Sequence, residues 1–200
     1  MDSRPDAVVI VVCKAPEKGR VKTRLAAEIG QEQALFVYAM MTATLFDNLA
    51  ICDDYDVCAC VDGPLELVQA GSVEPLPQRG NDLGERICNA IDDCQDYAKT
   101  IVIGSDTPNI THTLINRACE ELDTTDVVIG PTIDGGYYLI GMKRLHSTLF
   151  SESAWSTDTV CSQTLERARA ADLTVSMLES MRDIDTLDDL QDVMPELLSS

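Results

Sequence analysis

The segment Lys14–Leu25, KAPEKGRVKTRL, carries Lys14, Lys18, Arg20, Lys22 and Arg24 against one acid, Glu17. The whole chain of 200 residues has 15 Lys and Arg against 34 Asp and Glu, a formal net charge of −19. Cations gathered in so acidic a chain mark a place that must attract an anion against the field of the rest. Pro16 stiffens the segment, Gly19 permits a turn, and Lys22 and Arg24 lead toward a helix. A basic loop feeding a helix N-terminus suits phosphate, through free N–H groups, the helix dipole and the cations. The G-x-x-x-x-G-K-[ST] and G-x-G-x-x-G spacings are absent, so this is neither a Walker loop nor a dinucleotide fingerprint. The alternative is a solvated basic loop.

Four further segments hold chemistry-bearing residues. In GSDTP, Asp106 directly follows an apolar run. A carboxylate there, facing an anion site, suits a divalent cation bridging it to phosphate oxygens, and an Asx-turn or helix cap is the plainer alternative. In GPTIDGGYYLIG (130–141), Gly135 and Gly136 remove side chains where a ligand could press on backbone. Asp134 would accept hydroxyl hydrogen bonds from a sugar or sit near the metal, unless the stretch is only a hairpin turn. QRGNDLGER (78–86) sets Gln78 and Gly80 among polar residues before a helix, to read a base or a sugar, or to form a polar turn with an N-cap. RDIDTLDDL (182–190) places Asp183 and Asp185 after an apolar run, as further metal ligands with Asp106 or as an acidic cap on the last helix.

Those residues need elements to position them. AVVIVVC (7–13) is a continuous β-branched run, as in a strand buried on both faces. Residues 31–49 place Ala34, Tyr38, Met41, Leu45 and Leu49 at helical spacing. Strands are predicted at 56–61, 100–104, 126–130, 137–142 and 173–178, with a short edge strand inside 73–80. Helical stripes follow at Leu83–Cys94, at Leu114–Leu122 and over 158–170, and Thr186 with Asp189 spells a capping box for a final helix. This alternation predicts an α/β fold, an open, mostly parallel sheet with helices on both faces, in a single domain. Ligands bind beyond the carboxyl ends of such strands, so the loops after strands 7–13, 100–104 and 126–130 should share one edge.

Composition narrows the partners. The acidity argues against nucleic acid and anionic membrane, and suits either a saline habitat or plain solubility. No stretch approaches a membrane span and no secretory leader is visible, which predicts a cytoplasmic protein. Cys13, Cys52, Cys58, Cys60, Cys88, Cys94, Cys119 and Cys161 include no C-x-x-C pair, and the only histidines are His112 and His146. They read as buried free thiols, not zinc ligands.

Taken in order, K-x-P-x-x-G-x-V-K-T-R-L, Q-x-G-x-D-L-G-E-R, G-S-D-x-P, G-P-x-x-D-G-G-Y-Y-L-I-G, W-S-T-D-T-V and D-I-D-T-x-x-D-L resemble a bacterial family described as arsenosugar-biosynthesis glycosyltransferases. That family is similar to phospholactate and molybdenum-cofactor guanylyltransferases, within the nucleotide-diphospho-sugar transferase (GT-A) superfamily. The resemblance spans roughly residues 8–190, and Leu187 stands where related sequences often carry Pro. It implies a Rossmann-like GT-A fold. Lys14, Pro16, Gly19, Lys22, Arg24, Gln78 and Gly80 would hold the nucleotide. Asp106, Asp183 and Asp185 would hold Mg²⁺ or Mn²⁺. Asp134, Gly135 and Gly136 would face the substrate, and Trp155 would stack on a ligand or belong to the core. Asp106, Lys22 and Arg24 would carry the catalysis. The implied reaction is metal-dependent glycosyl transfer from a sugar nucleotide to a small-molecule acceptor. The alternatives are nucleotidyl transfer from a nucleoside triphosphate to a phosphorylated acceptor, and non-catalytic nucleotide binding.

Overall fold

The computed structural model describes residues 4–51, 53–151, 155 and 157–198. Seven strands form one sheet: β1 (Ala7–Lys14), β2 (Asp56–Asp62), β3 (Pro75–Pro77), β4 (Lys99–Gly104), β5 (Val127–Pro131), β6 (Tyr137–Met142) and β7 (Val175–Met177). Their order is β3-β2-β1-β4-β6-β5-β7, and every neighbouring pair is parallel except those made by β6. The antiparallel β6 follows from the length of its connection. Five residues separate β5 from β6, and a parallel return needs a crossover of a dozen or more. The turn closes by Thr132 N–H donating to Gly136 O (3.0 Å) and Gly135 N–H to Thr132 O (3.2 Å).

Among the described residues there are six α-helices: α1 (Thr23–Ile29), α2 (Gln31–Leu49), α3 (Leu83–Asp93), α4 (His112–Thr124), α5 (Val160–Ala170) and α6 (Leu187–Val193). Alternate residues of β1 enter opposite layers. Val9 and Val11 pack with Leu45 and Leu49 of α2 and Ile115 and Leu122 of α4. Val8 and Ile10 pack with Ile87 and Ile91 of α3 and Ala168 of α5. Helices therefore cover both faces, and the unbroken β-branched run has its physical cause. Each fully buried aliphatic side chain contributes about 1.5–3 kcal/mol relative to exposure.

A third apolar cluster joins Leu25 of α1, Val37 and Met41 of α2, Ile184, and Leu190 of α6. It clamps the 183–185 loop against the helices that follow β1. The final helix opens with the expected capping box: Thr186 accepts from Asp189 N–H, and the Asp189 carboxylate accepts from Thr186 N–H. Asp82 caps α3 and Thr111 caps α4 by the first of these bonds alone, accepting from Glu85 N–H and Leu114 N–H.

One expectation changes. The cysteines are free, but among those described only Cys13, Cys60 and Cys161 are buried; Cys58, Cys88, Cys94 and Cys119 are half-buried. Cys52 and Ser156 lie outside the described residues. Among the described residues no helix is long and apolar enough to cross a membrane.

Candidate nucleotide site

One cavity of about 830 Å³ opens at the carboxyl ends of β1, β2 and β4 and reaches the β5–β6 turn. The three loops expected to share an edge all line this cavity, and main-chain bonds tie the 181–184 segment to two of them. Ile184 N–H donates to Asp106 O at 2.9 Å, Met181 N–H to Pro131 O at 3.0 Å, and Ile133 N–H to Met181 O at 3.1 Å. Residues from widely separated positions are thus set around one volume, two of the loops by backbone bonds and the first by the buried Tyr38 hydroxyl.

Lys14, Lys22, Arg24, Gln78, Asp106, Asp134, Gly136, Trp155, Asp183 and Asp185 all line this cavity, and Pro16, Gly19, Gly80 and Gly135 do not. Gly135 acts from behind the wall: its φ is +93°, and an added Cβ would strike the Asp158 carbonyl. It lets the β5–β6 turn lie flat on the loop before α5, where Cys161 N–H donates to Gly135 O at 3.0 Å. Gly80, at φ +139°, leaves no room for a Cβ beside the backbone of Glu85 and Arg86.

The cation cluster divides. Lys14, Arg20, Lys22 and Arg24 face the cavity, whereas Lys18 turns outward and pairs with Glu32 at 2.8 Å. The expectation of a five-cation cradle is corrected on that point. Lys22 Nζ lies 2.5 Å from Asp106 Oδ1 and 3.1 Å from Asp185 Oδ1, with only 3% of its side chain exposed. Burial alone would lower the Lys22 pKa, but the two carboxylates more than offset it and hold the ammonium above its usual value. Arg24 meets the other Asp185 oxygen at 3.3 Å. The helix that follows has seven residues, so its dipole is small and side-chain charge dominates this end.

Asp106 and Asp185 are spared from capping, since Thr111 and Thr186 perform it. Asp183 is pushed up to about 6, first by burial and then by the neighbouring charges of Asp134 and Asp185. Asp134 Oδ1 accepts from the Thr132 hydroxyl (2.5 Å) and from Gly136 N–H (3.1 Å), which fixes its rotamer at the turn. Among the described residues no three His, Cys, Asp or Glu side chains converge as a ready metal cage, so the expected three-ligand cluster is not preformed. Magnesium keeps several waters and takes one or two carboxylates plus substrate phosphates. Asp106, Asp183 and Asp185, all lining the cavity, meet that lesser demand.

The opposite end is built differently. Gln78 donates both amide hydrogens, to Cys13 O at 2.9 Å and to Cys60 O at 3.0 Å. Its Oε1 accepts from Arg86 at 3.3 Å. The side chain therefore ties β1 to β2 and orients Arg86, and both of its amide hydrogens are spent on main-chain carbonyls. Arg86 also donates to Asp62 at 3.0 Å and to Gly80 O at 3.2 Å. Leu83, Ile87 and Trp155 add an apolar wall, and the Trp155 ring sits so close to Gly84 that a Cβ there would come within 3.2 Å.

Asp62, Arg86 and Tyr38 went unassigned in the sequence. Asp62 ends a strand as Asp106 nearly does, and the same rule would have found it. Arg86 stands within the quoted polar segment. Tyr38 carried no signal, being one more position on a helical stripe. Its hydroxyl accepts from Lys14 N–H and donates to Lys14 O, both at 2.9 Å, with Ser105 Oγ at 3.2 Å, so it locks the first loop to the Asp106 loop.

Known structures share this architecture. A proposed nucleotide-diphospho-sugar transferase from Desulfovibrio desulfuricans G20 superposes with TM-score 0.87 at 31% identity, over 94% of this chain and 85% of that one. CMP:2-keto-3-deoxy-manno-octonic acid synthetase, solved with CTP, gives TM-score 0.63 at 13% identity over 98% and 99% of the two chains. Rv0371c of Mycobacterium tuberculosis H37Rv, solved with manganese, gives 0.56 at 14% over 94% and 98%. The last two likenesses speak for the fold alone. No curated protein matches the chain in sequence. Residues 45–157 match the family of uncharacterised proteins conserved in bacteria known as DUF2064, and with the 31% identity to the Desulfovibrio protein over nearly the whole chain, this protein belongs to that family.

Proposed function

We propose that this protein is a transferase that binds the phosphates of a sugar nucleotide at the Lys22 end of the cavity and passes the sugar to a small acceptor. One observation carries the reading: Lys14, Lys22 and Arg24 meet Asp106, Asp183 and Asp185 in a single cavity at the carboxyl ends of the central strands. Cations from one loop and acids from two others would have no reason to share a wall in a solvated basic loop. The name of the Desulfovibrio relative supports the same class. The cavity volume of about 830 Å³ accommodates a nucleotide with a second small molecule.

In this reading Lys14, Lys22 and Arg24 pair with phosphate oxygens, and the leaving nucleoside diphosphate gains charge where they are fixed. Asp106, with Asp183 or Asp185, would hold Mg²⁺ or Mn²⁺, which when bound offsets charge on the leaving phosphates. Asp134, held by Thr132 and Gly136, is placed to accept hydroxyl hydrogen bonds from sugar or acceptor. The acceptor oxygen bonds to the anomeric carbon and gives up its proton to a carboxylate such as Asp134, while the carbon–oxygen bond to phosphate breaks and its electron pair leaves with the nucleoside diphosphate, so position and electrostatics supply the rate.

Nucleotidyl transfer is the second reading. Four cations along one wall favour it, because a triphosphate needs more positive charge than a diphosphate ester. Titration calorimetry with Mn²⁺, comparing four nucleoside triphosphates with a panel of sugar nucleotides, separates the two. Preference for a sugar nucleotide supports glycosyl transfer and names the donor. Tight binding of one triphosphate alone overturns it in favour of nucleotidyl transfer, and silence from every ligand removes both.

A further inference from the structure

Lys22 is out of place for a lysine. Lysines keep the ammonium in water and bury only the stem. Here 3% of the side chain is exposed, while its partners Asp106 and Asp185 are 51% and 37% exposed. The backbone is also held in the left-handed region, φ 47° and ψ 47°, which a long side chain visits only when its surroundings compel it. The surroundings are acidic. Asp106, Asp185, Asp183 and Asp134 border this end, against Lys14, Lys22 and Arg24. The ammonium sits between an oxygen of Asp106 and an oxygen of Asp185, which is where a cation bridging the two carboxylates would lie.

We propose that Lys22 is an internal counter-cation, which holds Asp106 and Asp185 in place of a divalent metal until phosphates arrive and draw its ammonium away. The inference rests on the phosphate-site reading above. A compact ammonium on a four-carbon stem can make that exchange, where a planar guanidinium would need a new fork of acceptors. A metal arriving alone must compete with a cation tethered at very high local concentration. When phosphate offers Lys22 another partner, the competition ends, so metal and phosphate each strengthen the binding of the other. The strained loop is then a device that keeps the acids paired and discourages metal from settling without its co-ligand.

The test uses Mn²⁺ alone on the full chain, with no nucleotide, so the calorimetry above decides the phosphate-site reading separately. Free Mn²⁺ is counted by electron paramagnetic resonance, and only the binding lost in Asp106→Asn is assigned to the site. Lys22→Met, with Lys22→Gln should the first not fold, is expected to bind Mn²⁺ about tenfold or more tighter than the native chain, because a positive charge beside the carboxylates is gone. Equal or weaker binding in both variants overturns the proposal. A second measurement needs no variant: acetylation of Lys22, followed by peptide mass spectrometry. Lys22 is expected to resist acetylation in the native chain and to react several-fold faster with saturating Mn²⁺. Unchanged reactivity, with Mn²⁺ bound, also overturns it.

Discussion

Two clusters line the cavity, and each sets a cation among oxygens. Arg86 donates to Asp62, to the Gln78 amide oxygen and to the Gly80 carbonyl. Gln78 in turn spends its own donors on Cys13 and Cys60. That end is balanced, and every named group has a partner within the protein. Lys22 and Arg24 instead share two carboxylates, with Asp183 and Asp134 close by and Asp183 raised to about 6. That end holds more acid than cation and is joined by contacts spanning 163 positions in the chain. A balanced cluster is a strut. An unbalanced one, held in strained backbone, has capacity left for ligand. The difference lies in the bookkeeping of partners, not in residue type.

The comparison breaks most sharply at the unbalanced end. Lys22→Ala combined with Arg24→Ala should weaken nucleotide binding by well over tenfold, since a charge-assisted hydrogen bond contributes about 1.5–3 kcal/mol. Calorimetry measures it, and unchanged affinity would show that this end is also only a strut. Asp106→Asn should next abolish the dependence of nucleotide binding on Mg²⁺ or Mn²⁺ while the far-ultraviolet circular dichroism stays native. Retained metal dependence would move the metal elsewhere.

At the balanced end the ordering of effects should reverse. Gln78→Ala leaves two strand-end carbonyls without their donor and should cost about 1–3 kcal/mol in urea unfolding. A loss of nucleotide affinity larger than that loss of stability would make Gln78 a binding residue after all. Thr186→Ala removes the cap of α6 and should cost about 1 kcal/mol, with a small loss of affinity through the 183–185 loop it anchors.

The smallest effect is one of pH. Burial alone would raise the Asp189 carboxyl, but hydrogen bonds from Thr186 and Arg182 hold it below its usual value. A depressed carboxyl contributes stability above its unfolded value, about 3.9, and that contribution is lost as pH falls through the lower folded value. Unfolding midpoints between pH 6 and pH 3, in the native chain and in Asp189→Asn, should converge at the acid end. Parallel curves would contradict the assignment.

Legibility in the sequence followed the range of the interaction. The β-branched run at 7–13, the stripe on α2 and the Thr186–Asp189 capping box are local patterns, and each formed as its residues dictate. The edge placement of Pro75–Pro77 follows from proline's missing donor in the same way. The rule that ligands gather at strand carboxyl ends located the three loops without any coordinates. Gln78 misled because a free amide and one already spent on two carbonyls look the same in sequence. Lys18 misled because its partner, Glu32, lies on α2, beyond the helix that the loop itself feeds.

Residue types, their order and the alternation of elements thus determined the architecture and named the loops that meet. Local physics is sufficient there, since a strand or a cap is decided by neighbours a few positions away. Only the tertiary structure decided which charges are paired and which are left over. Lys22 sits between Asp106 and Asp185 because Ile184 is buried in the α1–α2–α6 cluster and hydrogen-bonds to Asp106. That balance of charge depends on distances between segments far apart in the chain, and no spacing along the sequence encodes them.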